Sequence, residues 1–230
     1  MEIIPGIHQV DGVNGNCYII VRDGLTIIDT GLPRSGRKIL AYIRDQLRRE
    51  PREIHTIVVT HFHLDHAGNV TALKNASGGL AKVAVHEADA PYISGRTFPP
   101  PPRGVTGIVV RLLGVFMKPD LFEPDILLRD GDRVGDLVCI HLPGHTPGSI
   151  GLLDPGTKTF FAGDTLRFNG KTIGGAPEGF TMDPDRARMS ARKIASLEFD
   201  LMLSGHGVPL RPDASARVRE FAGTYQPAGP

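Results

Sequence analysis

Residues 61 to 66 read His61-Phe62-His63-Leu64-Asp65-His66, three imidazoles and a carboxylate within six consecutive positions. Only nine of the 230 residues are histidine, so this density points to a metal site rather than to a polar turn. Neutral imidazole and carboxylate are ligands suited to zinc, iron or manganese. Along an extended strand exit, alternate side chains share a face, so His61 and His63 can converge on one ion. Asp65 and His66 sit at the turn that follows, where they can serve a second ion beside the first. Three more polar residues come just after predicted strands, and each follows a glycine: His145 in Gly144-His145-Thr146-Pro147-Gly148, Asp164 in Gly163-Asp164-Thr165, and His206 in Gly205-His206-Gly207. Glycine permits sharp turns and close backbone approach, so such loops can gather ligands at one rim of a sheet.

The elements that must carry these loops are legible from hydrophobic period and turn chemistry. The β-branched run 54–60 predicts a buried strand leading into the histidines, and 67–76 a helix leaving them. Before it, strands 17–21 and 25–28 flank Asp23-Gly24, a dipeptide suited to a two-residue hairpin, and the second of them ends at Asp29-Thr30-Gly31. Ile39, Leu40, Ile43 and Leu47 recur at helical spacing over 35–49. A short strand over 81–85 and a helical turn over 87–93 follow. The segment 95–124 breaks this rhythm with four consecutive prolines and an apolar, glycine-dotted stretch. It is an irregular insert that could cover a substrate groove or a subunit contact in a homodimer. From residue 126 a β-meander resumes, with strands over 137–142 and 159–162. Asp183-Pro184 is a helix start, aspartate at the N-cap and proline at the first helical position, and Met189, Ile194 and Leu197 are available to face the core. A strand over 199–203, a helix over 212–222 and a frayed tail over 226–230 complete the reading.

Length suits a single domain over 1–230, and a formal net charge of +1 provides no basic field for a nucleic-acid partner. Neither a secretory leader nor a membrane-spanning run is expected, which predicts a soluble, cytoplasmic protein acting on a small molecule. Cys17 and Cys139 are expected as buried free thiols, and His8, His55, His86 and His141 as structural residues. Arg167 and Lys171 follow Asp164 closely enough to meet an acidic substrate group, without a motif that assigns them.

Taken in order, Asp29-Thr30-Gly31, His61-x-His63-x-Asp65-His66, Gly144-His145-Thr146-Pro147-Gly148, Gly163-Asp164-Thr165 and Gly205-His206 resemble the metallo-β-lactamase superfamily over nearly the whole chain. The resemblance implies an α/β fold, a four-layer αββα sandwich, with a dinuclear centre at one edge. It assigns His61, His63 and His145 to one metal, Asp65, His66 and His206 to the other, Asp164 to a bridge between them, and Asp29 to holding the histidine loop. Independently, this many nitrogen and oxygen ligands without cysteine exceed what one tetrahedral zinc needs. Two divalent ions are therefore expected, zinc first, with iron or manganese as alternatives.

The expected activity is hydrolysis of a small ester-like substrate, a thioester or lactone, by a metal-bridging hydroxide, with Asp65 able to pass a proton to the leaving group. Departures from subgroups narrow the choice. Many β-lactamases carry cysteine where this chain has Asp164. Full-length glyoxalase II enzymes add a helical domain where few residues follow His206 here. Lactonases place a tyrosine where the chain reads Thr165-Leu166-Arg167. A mononuclear-iron persulfide dioxygenase is the competing class, and a phosphodiesterase or a metal-stabilised binding module rank below it.

Overall fold

The apolar runs fold as strands because alternate Ile and Val side chains can be buried against helices on a pleated surface. The computed structural model describes residues 1–100 and 120–225, a mixed α/β structure with several sheets. Most of the 95–124 insert and the whole 226–230 tail lie outside the described residues. Contacts divide the chain into two compact units, one beginning with Met1–Phe98 and ending at Leu127, the other continuing from Leu128.

The first unit is built on a seven-stranded sheet whose strands lie in chain order: β1 (Glu2–Ile4), β2 (Ile7–Gln9), β3 (Tyr18–Val21), β4 (Leu25–Ile28), β5 (Ile54–Val58), β6 (Lys82–His86) and β7 (Ile126–Leu128). β1 to β4 run as an antiparallel meander, whereas β4, β5 and β6 are parallel neighbours with Ile28 opposite Val58 and Val58 opposite Ala84. Parallel pairing sends the loops that follow β4, β5 and β6 out at the same edge, the usual address of ligand sites on parallel strands. Helix α1 (Gly36–Asp45) lays Ile39 and Ile43 into a core with Leu25, Ile27, Ile57 and Val83. Each such side chain contributes about 1.5–3 kcal/mol of burial. The helix stops earlier than the predicted residue 49: Leu47 N–H closes back on the Tyr42 carbonyl and Arg48 takes a left-handed φ of 55°.

Two further readings change here. Val21 pairs with Leu25, so three residues connect β3 and β4 rather than two. The helical segment after the histidines begins at Leu64 rather than residue 67, as α2 (Leu64–Ala67), and resumes as α3 (Val70–Ala76); α4 (Ala90–Ile93) follows β6.

The second unit carries β8 (Arg133–Val134), β9 (Leu137–His141), β10 (Ile150–Asp154), β11 (Thr159–Gly163) and β14 (Leu201–Ser204) in a sheet ordered β14-β11-β10-β9-β8. β10 is antiparallel to both β9 and β11, and β11 is parallel to β14. β9, β11 and β14 therefore point the same way, so the loops bearing His145, Asp164 and His206 leave one edge of one sheet. A hairpin the sequence reading did not draw, β12 (Leu166–Phe168) with β13 (Ile173–Gly175), follows Asp164. Helix α5 (Pro184–Ala195) starts where predicted, with the Asp183 carboxylate accepting from Arg186 N–H at 3.0 Å. Its buried face is Ala187, Ser190, Ala191 and Ile194. Met189 was expected in that face and is instead 67% exposed, because position 189 lies across the helix from the 187–191–194 stripe. Helix α6 (Ala214–Thr224) is the last helix among the described residues. Among the described residues no helix is long and apolar enough to cross a membrane.

Candidate metal centre

In the first unit the site is assembled on the exits of β4 and β5. Asp29 follows β4 with a left-handed φ of 58°, a conformation aspartate tolerates better than most residues. Its Oδ1 accepts the Thr60 backbone N–H at 2.7 Å, and its Oδ2 accepts the Thr60 hydroxyl at 2.7 Å. That same Oδ2 stands 2.8 Å from His66 Nδ1. A carboxylate only accepts, so the proton of this bond sits on Nδ1, which leaves Nε2 as the nitrogen able to offer a lone pair. His66 is fully buried, with Nε2 3.7 Å from Asp65 Oδ2.

The same bookkeeping of protons settles His61. Thr60 Oγ1 has given its hydrogen to Asp29, so it accepts from His61 Nδ1, 3.1 Å away, and His61 too presents Nε2. That Nε2 lies 3.1 Å from His63 Nδ1. Two imidazole nitrogens at about 2.0–2.1 Å from one tetrahedral ion would be about 3.3 Å apart, so this pair fits convergence on a metal. Burial separates the residues: His61 and His66 are buried, while His63 and Asp65 are partly open.

Three residues that the sequence reading passed over hold this loop. The Asn69 side-chain amide donates to the Thr30, Gly31 and Leu32 carbonyls at 2.6, 3.2 and 2.8 Å, and its oxygen accepts Gly36 N–H at 3.0 Å. Asp89 accepts the Phe62 N–H at 3.0 Å, anchoring the middle of the histidine stretch. Thr60 links Asp29 to His61. Only their chemistry as short polar residues beside a strand end would have hinted at this, because their partners are distant in sequence.

In the second unit His145 follows β9 on a loop locked to the start of α5. Gly144 has φ 135°, and a Cβ there would lie 2.1 Å from Ala187 N. Asp183 N–H donates to the Gly144 carbonyl at 2.9 Å and Met182 N–H to that of His145 at 3.1 Å. His145 Nδ1 meets Thr181 Oγ1 at 3.2 Å, and that hydroxyl donates to the Pro177 carbonyl at 2.7 Å. Thr181 must therefore accept from His145, which leaves a third Nε2 lone pair at a buried histidine. Asp164, 8% exposed, places Oδ2 3.6 Å from His145 Nε2 and 3.6 Å from His206 Nε2. One carboxylate oxygen thus stands equally near two imidazoles from separate loops.

The remaining histidines have other work. His8 Nδ1 lies 3.2 Å from the Tyr42 hydroxyl, His86 Nδ1 accepts Ala88 N–H at 3.2 Å, and His141 Nε2 lies 2.9 Å from the Pro147 carbonyl. His55 is exposed beneath Gly24. Both cysteines are buried free thiols.

Each of the seven expected ligands belongs to a candidate His/Asp group able to hold a metal ion. The donor set fits a borderline divalent ion: imidazole and carboxylate, no thiolate, with the ring protons parked on Nδ1 in His61, His66 and His145.

Residues 10–206 match the family model described as the Metallo-beta-lactamase superfamily. A probable metallo-hydrolase of Bacillus subtilis (strain 168), YflN, is 27% identical across 91% of this chain and 86% of its own length. The acyl-coenzyme A thioesterase MBLAC2 of Bos taurus is 31% identical across 66% of this chain and 57% of its own. Among solved structures, TTHA1623 in a di-iron-bound form superposes with a TM-score of 0.69 at 27% identity, covering 94% of this chain and 98% of its own.

Proposed function

The chain belongs to the metallo-β-lactamase superfamily, and from that premise we propose that it is a hydrolase of small ester-like substrates, thioesters or lactones, working with two divalent ions. His61, His63 and His145 would hold one ion, Asp65, His66 and His206 the second, and Asp164 would bridge them. Ions held in this way supply an acidified water as nucleophile and polarise the substrate carbonyl.

The observation that carries the reading is that Nδ1 of each of three buried histidines faces an acceptor oxygen. Asp29, Thr60 and Thr181 each take the Nδ1 proton of one ring, so His66, His61 and His145 all offer Nε2. A ligating imidazole must keep one nitrogen unprotonated, and in each of these rings an acceptor at Nδ1 leaves Nε2 for that role. Asp164 Oδ2, 3.6 Å from two Nε2 atoms, has the disposition of a bridging carboxylate. Asp65, with its side chain 30% exposed, can reach solvent and substrate and carry a proton to a departing thiol or alcohol. Within this class thioesters rank first, because a relative bears the name of an acyl-coenzyme A thioesterase.

Elemental analysis of protein purified without added metal, paired with turnover of an acyl-thioester and a lactone panel, tests the proposal. Two metals per chain, falling to one or none in Asp164→Ala together with hydrolysis, support it. One iron per chain with oxygen uptake on a persulfide would replace it with dioxygenase chemistry, and unchanged hydrolysis in Asp164→Ala would remove the bridged centre.

A further inference from the structure

The β12–β13 hairpin carries Arg167 opposite Gly174, between Leu166 and Phe168, which are both buried. Alternation along β12 therefore turns Arg167 to the open face. There it lines a cleft of about 440 Å³ together with Phe168, Asn169, Thr172, Gly174 and His206. That volume is near the lower end of small-molecule sites, which span roughly 300–1,000 Å³.

The platform is fixed on the loop that carries His206. Phe168 bridges Gly207 in parallel, and Val208 N–H donates to the Phe168 carbonyl at 2.9 Å. Arg167 and His206 each stand one residue before that bridge, and both line the cleft beside it. The Arg217 guanidinium stacks 4.8 Å over the Phe168 ring and holds the strand from below. The stem of Arg167 lies across Gly174, where a Cβ would be 3.3 Å from Nε and 3.6 Å from Cγ. Glycine at 174 thus leaves the space that the arginine fills. Ion pairs among the described residues engage Arg49, Arg96, Arg188 and Arg219, and none engages Arg167.

We propose that Arg167 binds an anionic group of the substrate, a carboxylate or phosphate, beside the His206 corner of the centre, so that the enzyme selects acidic esters over neutral ones. The inference rests on the hydrolase reading above. Its physical basis is that a guanidinium grips carboxylate or phosphate through paired N–H donors, which a lysine or a neutral residue cannot reproduce. A fixed strand, rather than a loop tip, keeps that fork in register with the reacting carbonyl.

Calorimetric binding to the zinc-loaded protein, with succinate, 3-phosphonopropanoate and butyrate as probes, tests this without turnover. Wild type should bind at least one of the two doubly acidic probes about tenfold more tightly than butyrate, the better one naming the group recognised. Arg167→Ala should bring that ratio close to one and Arg167→Lys leave it in between. Gly174→Val, which pushes the stem aside while keeping the arginine, should also lower it. No preference in wild type, or a preference that survives Arg167→Ala, overturns the inference. Arg167-dependent preference in a protein that hydrolyses no ester defeats the hydrolase reading alone, and an active hydrolase without preference defeats the arginine assignment alone.

Discussion

Asp29 Oδ2 lies 2.8 Å from His66 Nδ1, joining the exit of β4 to α2, the first helix after β5, across 37 positions of sequence. The bond orients a buried ring and decides which of its nitrogens is basic. Asp29→Asn keeps an oxygen for the Thr60 N–H but turns an amide donor towards both groups that Oδ2 now accepts from, the Thr60 hydroxyl and His66 Nδ1. We expect metal affinity to fall about 10–100-fold, read by competition against a chelator, with a smaller effect on the melting temperature. Affinity within a factor of two of wild type would remove the orienting role.

Thr181→Val should act on His145 in the same way from the other unit. It removes the hydroxyl that accepts from Nδ1 while conserving shape, so the ring can rotate or change tautomer. The expected loss in metal affinity is about tenfold. Thr181→Ser should restore most of it, whereas failure of serine to rescue would argue that the methyl group, not the hydroxyl, matters.

Gly144→Ala puts a methyl group where Ala187 N lies 2.1 Å away, at a backbone φ of 135°. Strain of this kind costs about 1–3 kcal/mol before any clash is counted. Urea unfolding should register at least that loss, and a variant as stable as wild type would mean that the His145 loop is not docked on α5.

Asp125 is the clearest acid-sensitive contact. Burial alone would raise its carboxyl, but the Lys74 ammonium at 2.6 Å and the Val83 N–H at 2.8 Å outweigh that and hold it below the usual range. A folded-state pKa lower than the unfolded value of about 3.9 gives stability that is fully present above that value and lost as pH falls through the folded pKa. Wild type should therefore exceed Asp125→Asn in stability at pH 6, with the gap closing below about pH 4. A gap independent of pH would show that packing, not charge, is what the carboxylate provides.

Thiol reactivity offers a check on the two cores. Burial, and then the charges of Asp130 and Asp132, push the Cys139 thiol up to about 12, and burial with Asp29 raises Cys17 well above its ordinary value. Neither should react with a disulfide reagent at pH 8 in the native protein, and both should react in guanidinium. Rapid native labelling of either would contradict its packing.

Much of the fold could be read from local chemistry. The 54–60 run and the Asp183-Pro184 cap each carry their structure in neighbouring residues, and β5 and α5 follow them. Met189 misled because an apolar residue in a helix does not declare which face is covered, and Ala187, Ser190 and Ala191 made the tighter seam. The β12–β13 hairpin escaped because two three-residue strands give too short a period to recognise. Asn69 and Thr181 escaped because asparagine and threonine are common turn residues whose significance lies wholly in their partners.

By itself the sequence determined the donor chemistry: histidines and aspartates in glycine-marked loops after β-branched strands, without cysteine among them. Only the tertiary structure decided how those donors are poised. Parallel pairing of β4 with β5 sets Asp29 against Thr60 and His66, and the like direction of β9, β11 and β14 sends His145, Asp164 and His206 to one edge. Strand order and register are long-range agreements between segments, and the protonation of an imidazole follows from whichever acceptor they bring to it. Local propensity carries no record of either.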